Sequence, residues 1–129
     1  MSTETESTQR TVSARSSRFA AKIFNYGNIL AMLIPVPLGI FWAGGSMLVY
    51  ALNRHHPNEK VGHYTQQAAY RFYGVVGLVV AVATFFGTDI DLWLWTWAIS
   101  AAFLIPTSII DLRRIRRDTW VDTTIPENL

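Results

Sequence analysis

The chain has no cysteine among its 129 residues. That excludes disulfides, thiolate metal sites and a cysteine nucleophile, and it leaves the redox compartment open. Charge is also scarce. Asp, Glu, Lys and Arg make up 16% of the sequence and gather in the N-terminal tail, one loop and the C-terminal segment. Residues 28–52 carry no formal charge, and the cores of two later apolar runs carry none either. Proton relays and ion pumps place ionisable groups inside their spans, so neither activity is expected of this chain alone. Histidine is missing from the same runs, which removes the usual ligand for haem held between membrane helices. There is no internal repeat, and an odd number of spans argues against a complete inverted-repeat transporter.

What the chain has is apolar residues, half of the sequence. A soluble domain of this length buries too small a fraction of its surface to hide such runs, whereas a bilayer supplies the apolar environment directly. About twenty apolar residues cross a hydrocarbon core as helix. Residues 28–52, 68–86 and 92–110 each meet that requirement. The expected fold class is therefore all-α, an integral membrane domain of three transmembrane helices over residues 18–120. The pI near 9.2 accompanies a net charge of only +2. The arginines flank apolar runs, where they serve membrane topology rather than nucleic-acid binding.

Residues 1–17 are rich in Ser and Thr and poor in apolar side chains, which predicts a disordered tail. Glu4 and Glu6 precede any apolar run, and no clear cleavage site follows, so the tail is not read as a secretory signal. In residues 18–26, Phe19, Ile23 and Tyr26 recur at helical spacing. This is either a short interfacial helix or the first helix starting early. Pro35 and Pro37 predict a kink or local unwinding near residues 34–38, and carbonyls freed there need a partner. Gly39, Ala43, Gly44 and Gly45 follow as a small-residue surface for close helix contact. A second such stripe is Gly74, Gly77 and Ala81.

Residues 53–67 form the longest polar connection, with a turn at His55-His56-Pro57-Asn58 and a helix start expected near Gly62. Residues 87–91 are so short a link that spans two and three must form an antiparallel hairpin. With three spans, the N-terminal tail lies opposite loop 53–67 and the C-terminus. Arg54, Lys60, Arg71, Arg113, Arg114, Arg116 and Arg117 then outweigh Arg10, Arg15, Arg18 and Lys22. The positive-inside bias accordingly predicts N-terminus out and C-terminus cytoplasmic, in what is expected to be a bacterial inner membrane.

No residue is assigned a catalytic, cofactor-binding or metal-binding role. His55, His56 and His63 with Glu59 are the one cluster near metal chemistry, but adjacent histidines beside a proline do not converge as real ligand sets do. They read as exposed interfacial side chains. Arg71 and Asp111 are expected to pair and fix helix register. Ser46, Thr84, Ser100, Thr107 and Ser108 bond back to their own helices or link helices more often than they line a path. Trp93, Trp95 and Trp97 at one end of the third span, and Trp120 beyond the other, suit an interfacial belt more than a quinone or pigment pocket. Tyr64, Tyr70 and Tyr73 mark the loop-side interface. Arg113, Arg114, Arg116 and Arg117 set topology and attract anionic lipid headgroups by about 1 kcal/mol each.

The layout of residues 28–128 resembles a family of small bacterial membrane proteins of unknown function. That family is distantly similar to the small membrane subunit of the chloroplast inner-envelope import translocon. The likeness rests on LIPVPLGIFW (33–42), a short polar loop, HYTQQAAYRF (63–72) with His63, Gln66 and Ala68, a hairpin, and a basic tail ending at Ile125-Pro126. The chain departs from the family in His55-His56 and in its tryptophan-rich third span. The resemblance brings no catalytic residues. The expected function is a non-catalytic small membrane subunit or accessory factor packing against a larger integral membrane protein complex. The alternative is a homo-oligomeric channel or translocation element, and an enzyme of lipid or quinone is the remote third. Membrane lipids are expected partners and nucleic acid is not.

Overall fold

A computed structural model describes residues 9–126. The elements are β1 (Gln9–Val12), α1 (Ala14–Leu33), a widened turn at Pro35–Gly39, α2 (Ile40–Asn53), α3 (Glu59–Phe86), α4 (Ile90–Arg117) and β2 (Thr123–Pro126). Three helical segments, Pro35–Asn53, Glu59–Phe86 and Ile90–Arg117, are long and apolar enough to cross a membrane. The body of the chain is thus all-helical, and its long apolar helices fall on the apolar runs, the first of them only on the part that follows Ile34.

Residues 28–52 do not form one kinked span. They belong to two helices that fold back on each other. Asn28 and Trp42 would stand about 21 Å apart along a straight helix, yet Trp42 Nε1 donates to Asn28 Oδ1 at 2.9 Å. Phe24 meets Trp42 edge-on with ring centroids 5.1 Å apart. The cause lies in the two prolines. A residue before proline is pushed out of the helical region, and here two such residues occur in succession. Ile34 takes φ −132°, ψ 80° and Val36 takes φ −122°, ψ 119°. One proline kinks a helix, whereas two separated by a single residue give the chain room to reverse.

α1 runs parallel to α3 and antiparallel to α4. Asn28 Nδ2 donates to the Ala68 carbonyl (3.2 Å) and Trp97 Nε1 to the Met32 carbonyl (2.8 Å). α1 turns in a small and polar face, with Ser17, Ala21, Phe24, Asn25, Asn28, Ala31 and Met32 all buried. The apolar stripe of Phe19 and Tyr26 faces outward instead, and these side chains are 64% and 47% exposed. Such a helix is inside out by the standards of a water-soluble bundle, and it is right for one that meets lipid.

Local signals fix the helix ends. Ser13, Asn58 and Asp89 cap α1, α3 and α4 by accepting from Ser16 N, Lys60 N and Leu92 N. The Asn58 cap starts α3 at Glu59, three residues before the expected Gly62. Arg114, Arg116 and Arg117 in the last turn of α4 complement its dipole. Pro106 sits inside α4 without ending it, and the neighbouring Thr107 hydroxyl bonds the Phe103 carbonyl at 2.8 Å.

The first and last described segments meet. β1 pairs antiparallel with β2, with Thr11 opposite Thr124, and Ala14 N donates to Asp122 Oδ1 at 2.7 Å. Two corrections follow. The tail predicted as disordered to residue 17 is strand and helix from Gln9 onward, while residues 1–8 of that prediction lie outside the described residues. The segments expected on opposite sides of a membrane, residues 9–12 and 123–126, are hydrogen-bonded neighbours instead. The terminal segment is held further by Lys60, whose ammonium contacts Asp118 Oδ1 at 2.7 Å and lies 5.8 Å from the Trp120 ring centroid. Tyr64 OH also donates to Asp118, at 3.0 Å.

Candidate functional site at the re-entrant turn

The α1–α2 hairpin enters the bundle from the end where the termini meet and reverses partway along α3 and α4. Prolines 35 and 37 have no N–H, so the Ala31 and Leu33 carbonyls lose their helical donors. The carbonyl between them, Met32, takes the Trp97 indole N–H instead. The sequence predicted that freed carbonyls here would need a partner, and it placed Trp97 in an interfacial belt. Trp97 is in fact a strut holding the turn to α4. Trp93 stays nearer the belt role, donating to the Gly87 carbonyl at 3.2 Å.

Beyond the turn, α3 and α4 continue without a third helix beside them. A cavity of about 530 Å³ opens there, walled by Met32 and Val36 of the turn region, Val76 and Val79 of α3, and Trp97 and Ser100 of α4. Its walls are almost entirely apolar. Val36 is 74% exposed and Trp97 44%, so the cavity opens sideways. Ser100 is only 3% exposed, and its hydroxyl has no hydrogen-bond partner in the protein.

The predicted packing residues divide. Gly39 and Ala43 line the cavity. A Cβ built on Gly44, Gly74 or Gly77 meets nothing within 4 Å, and Ala81 is exposed. Those four therefore take no part in the chain's own packing and lie on outer faces. Gly74 borders a shallow groove between α3 and α4, together with Tyr70, Leu78, Ile99, Phe103 and Ser100, so Ser100 stands between this groove and the cavity. The glycines that permit close approach within the fold were not singled out by sequence. A Cβ on Gly27 would stand 2.2 Å from the Trp42 ring, and one on Gly62 would stand 2.4 Å from the Arg54 carbonyl oxygen. Both sit where two helices converge tightly, a property of three-dimensional pairing that helical spacing alone does not reveal.

Arg71 and Asp111 pair as expected, Nη1 to Oδ2 at 2.5 Å, with Asp111 fully buried and Arg114 3.8 Å from its other oxygen. Around this pair the interior is polar. Asn25, Thr65 and Ser108 are fully buried, and their side chains have no protein hydrogen-bond partner. They lie between two apolar clusters, one of Ala21, Val61, Tyr64, Ile115 and Trp120, the other including Phe24, Ala68, Phe72 and Leu104. The two asparagines of α1 were the available signal for this layer, since a polar amide on a helix beside small residues marks an inward face. Arg113, Arg114, Arg116 and Arg117 are exposed at the end of α4. They stand beside the joined termini, where an anionic surface can reach them.

The histidines are not brought together. Among the described residues no three of His, Asp and Glu form a group able to hold a metal ion. His55 and His63 are exposed. His56 Nδ1 accepts from Asn58 N at 3.0 Å, and desolvation holds the ring below its ordinary pKa of 6.5.

Fold and site together define a small helical protein with three helices suited to a bilayer and a broken helical hairpin set among them. No protein-family model, curated protein or solved structure matches the chain.

Proposed function

We propose that the protein is a non-catalytic subunit or accessory factor that packs, within the membrane, against a larger integral membrane protein complex. The observation that carries this reading is the open space around Gly44, Gly74 and Gly77. These glycines leave flat faces on α2 and α3 that the chain itself does not use, and a neighbouring helix gains close van der Waals contact on such faces. Lipid gains little there.

The proposed orientation puts both termini in the cytoplasm, with the connection after α3 on the far side. All eleven Lys and Arg residues lie in β1, the first half of α1, the α2–α3 connection, the first half of α3 or the end of α4. Each of these flanks the end of the bundle where the termini meet. The far connection carries only Asp89 and Asp91. The positive-inside bias is then satisfied by every basic residue, with none translocated.

One observation favours the second reading, a homo-oligomeric channel or translocation element. Irregular backbone at membrane depth is tolerated where protein or a cavity covers it, and the Pro35–Gly39 turn is exposed on one side. The resemblance to the import-translocon subunit points the same way. Native mass measurement after gentle extraction separates the two. The favoured reading predicts a hetero-complex of fixed ratio that Gly77→Leu depletes and Ala83→Leu does not. A stable homo-oligomer that conducts in liposomes, with conductance altered by Pro35→Ala with Pro37→Ala, would replace it with the channel.

A further inference from the structure

We propose that the cavity beneath the re-entrant turn binds one membrane-soluble molecule consisting of a long apolar chain with a single buried oxygen, a lipid hydroxyl or carbonyl, seated against Ser100. The inference needs only the bilayer setting of the helices and stands apart from any protein partner. Its volume of about 530 Å³ falls inside the range of about 300–1,000 Å³ typical of small-molecule sites. Six wall positions, Met32, Val36, Val76, Val79, Phe72 and Trp97, offer apolar or aromatic surface and no charge, which excludes an ionic ligand. Its sideways opening at Val36 and Trp97 meets the lipid phase rather than either aqueous face.

The second observation is Ser100. A serine in a helix ordinarily satisfies itself on the carbonyl one turn back, as Thr96 does on the Leu92 carbonyl at 2.7 Å in the same wall. Ser100 makes no such bond although it is 97% buried, with 3% exposure. A hydroxyl or carbonyl oxygen from a ligand gives Ser100 a partner, whereas a plain hydrocarbon fills the space and leaves its hydroxyl unmet. Ser100 lies ten residues into α4 from Ile90, a depth of about 15 Å. The oxygen must therefore sit deep in the bilayer, away from the headgroups.

The test uses the full chain purified in detergent, titrated with hexadecane, 1-hexadecanol and methyl palmitate and read by native mass spectrometry. One molecule per chain is expected to bind saturably, with the alcohol or the ester about fivefold tighter than the alkane, the size of one ordinary hydrogen bond. The stronger of the two identifies the oxygen as hydroxyl or carbonyl. Ser100→Ala should abolish the preference while leaving hexadecane binding unchanged, a change small enough to keep the fold. Val79→Phe should weaken all three probes more than tenfold, with retention of the thermal unfolding midpoint as its control. If that variant fails to fold, Ser100→Ala alone decides. Absence of saturable one-to-one binding, equal affinity for the three probes, or a preference that survives Ser100→Ala would each overturn the proposal.

Discussion

α1 and α2 are joined by six residues and lie against each other, yet they invert the usual relation between composition and burial. α1 carries Arg15, Arg18, Lys22 and two asparagines, and it has seven buried residues. α2 has no charged residue and buries only Ser46. In water the more apolar helix would be the more buried one, because removal of apolar surface from solvent drives the packing. Where lipid is the solvent that drive vanishes between helices. Small residues, amides and ion pairs decide which faces meet instead. The contrast teaches that in the α1–α2 pair the helix carrying polar residues is the buried one, and the uniformly apolar helix lies outside.

The most severe way to break the contrast is to empty the one large α2 side chain that α1 holds. Trp42→Ala removes a hydrogen bond to Asn28 and the edge contacts to Phe24 and Phe72. It should cost about 3–5 kcal/mol and release α2, read as a lowered unfolding midpoint with α1 amides still protected from exchange. Asp111→Ala should cost nearly as much, about 3–5 kcal/mol, because it strands Arg71 beside a buried polar layer. Replacing both partners, Arg71→Leu with Asp111→Leu, should restore most of that loss. Trp97→Phe keeps an aromatic side chain but loses the bond to the Met32 carbonyl and the pyrrole half of the indole, so about 1–3 kcal/mol is expected. Gly77→Leu should leave the unfolding midpoint of the isolated chain unchanged, since nothing stands within 4 Å of its Cβ position. A large loss there would show that the outer face is used within the fold.

A modest effect is expected on acidification. The Lys60 bond to Asp118 holds that carboxyl below its ordinary pKa of 3.8, with burial opposing. A carboxylate lowered in the folded state stabilises fully above its unfolded value of about 3.9, and that contribution is lost as pH falls through the lower folded value. Lys60 and Asp118 are 43% and 29% exposed, so solvent screening keeps the effect within about 1 kcal/mol. The unfolding midpoint of Asp118→Asn should converge with that of the unaltered protein below this range and fall under it above.

Much of this architecture is legible in the residues. Long uncharged runs give the three apolar helices, Gly87-Thr88 before Asp89 gives the tight hairpin, and Arg71 with Asp111 gives the interior ion pair. Pro35 and Pro37 announce a break. Whether a break is a kink or a reversal depends on what the second half meets, and that was set by Gly27 yielding space to Trp42, fifteen residues away. The terminal clasp was hidden for the same reason. Val12 and Ile125 each look like isolated apolar residues in polar segments until β1 and β2 lie side by side. The cavity was equally out of reach, since it exists only because the hairpin stops partway along α3 and α4.

The joined termini are the feature on which the re-entrant hairpin and the proposed orientation both depend. Because the chain has no cysteine of its own, Thr11→Cys with Thr124→Cys, at directly opposed strand positions, gives a clean cross-link in native membranes. Mild oxidation should close an intramolecular disulfide that changes gel mobility and is reversed by reductant. Each cysteine alone should react with an impermeant maleimide from the same face of the membrane, and Thr88→Cys from the other. Failure to cross-link, with Thr11→Cys and Thr124→Cys labelled from opposite faces, would contradict the account and return the first apolar run to a single crossing.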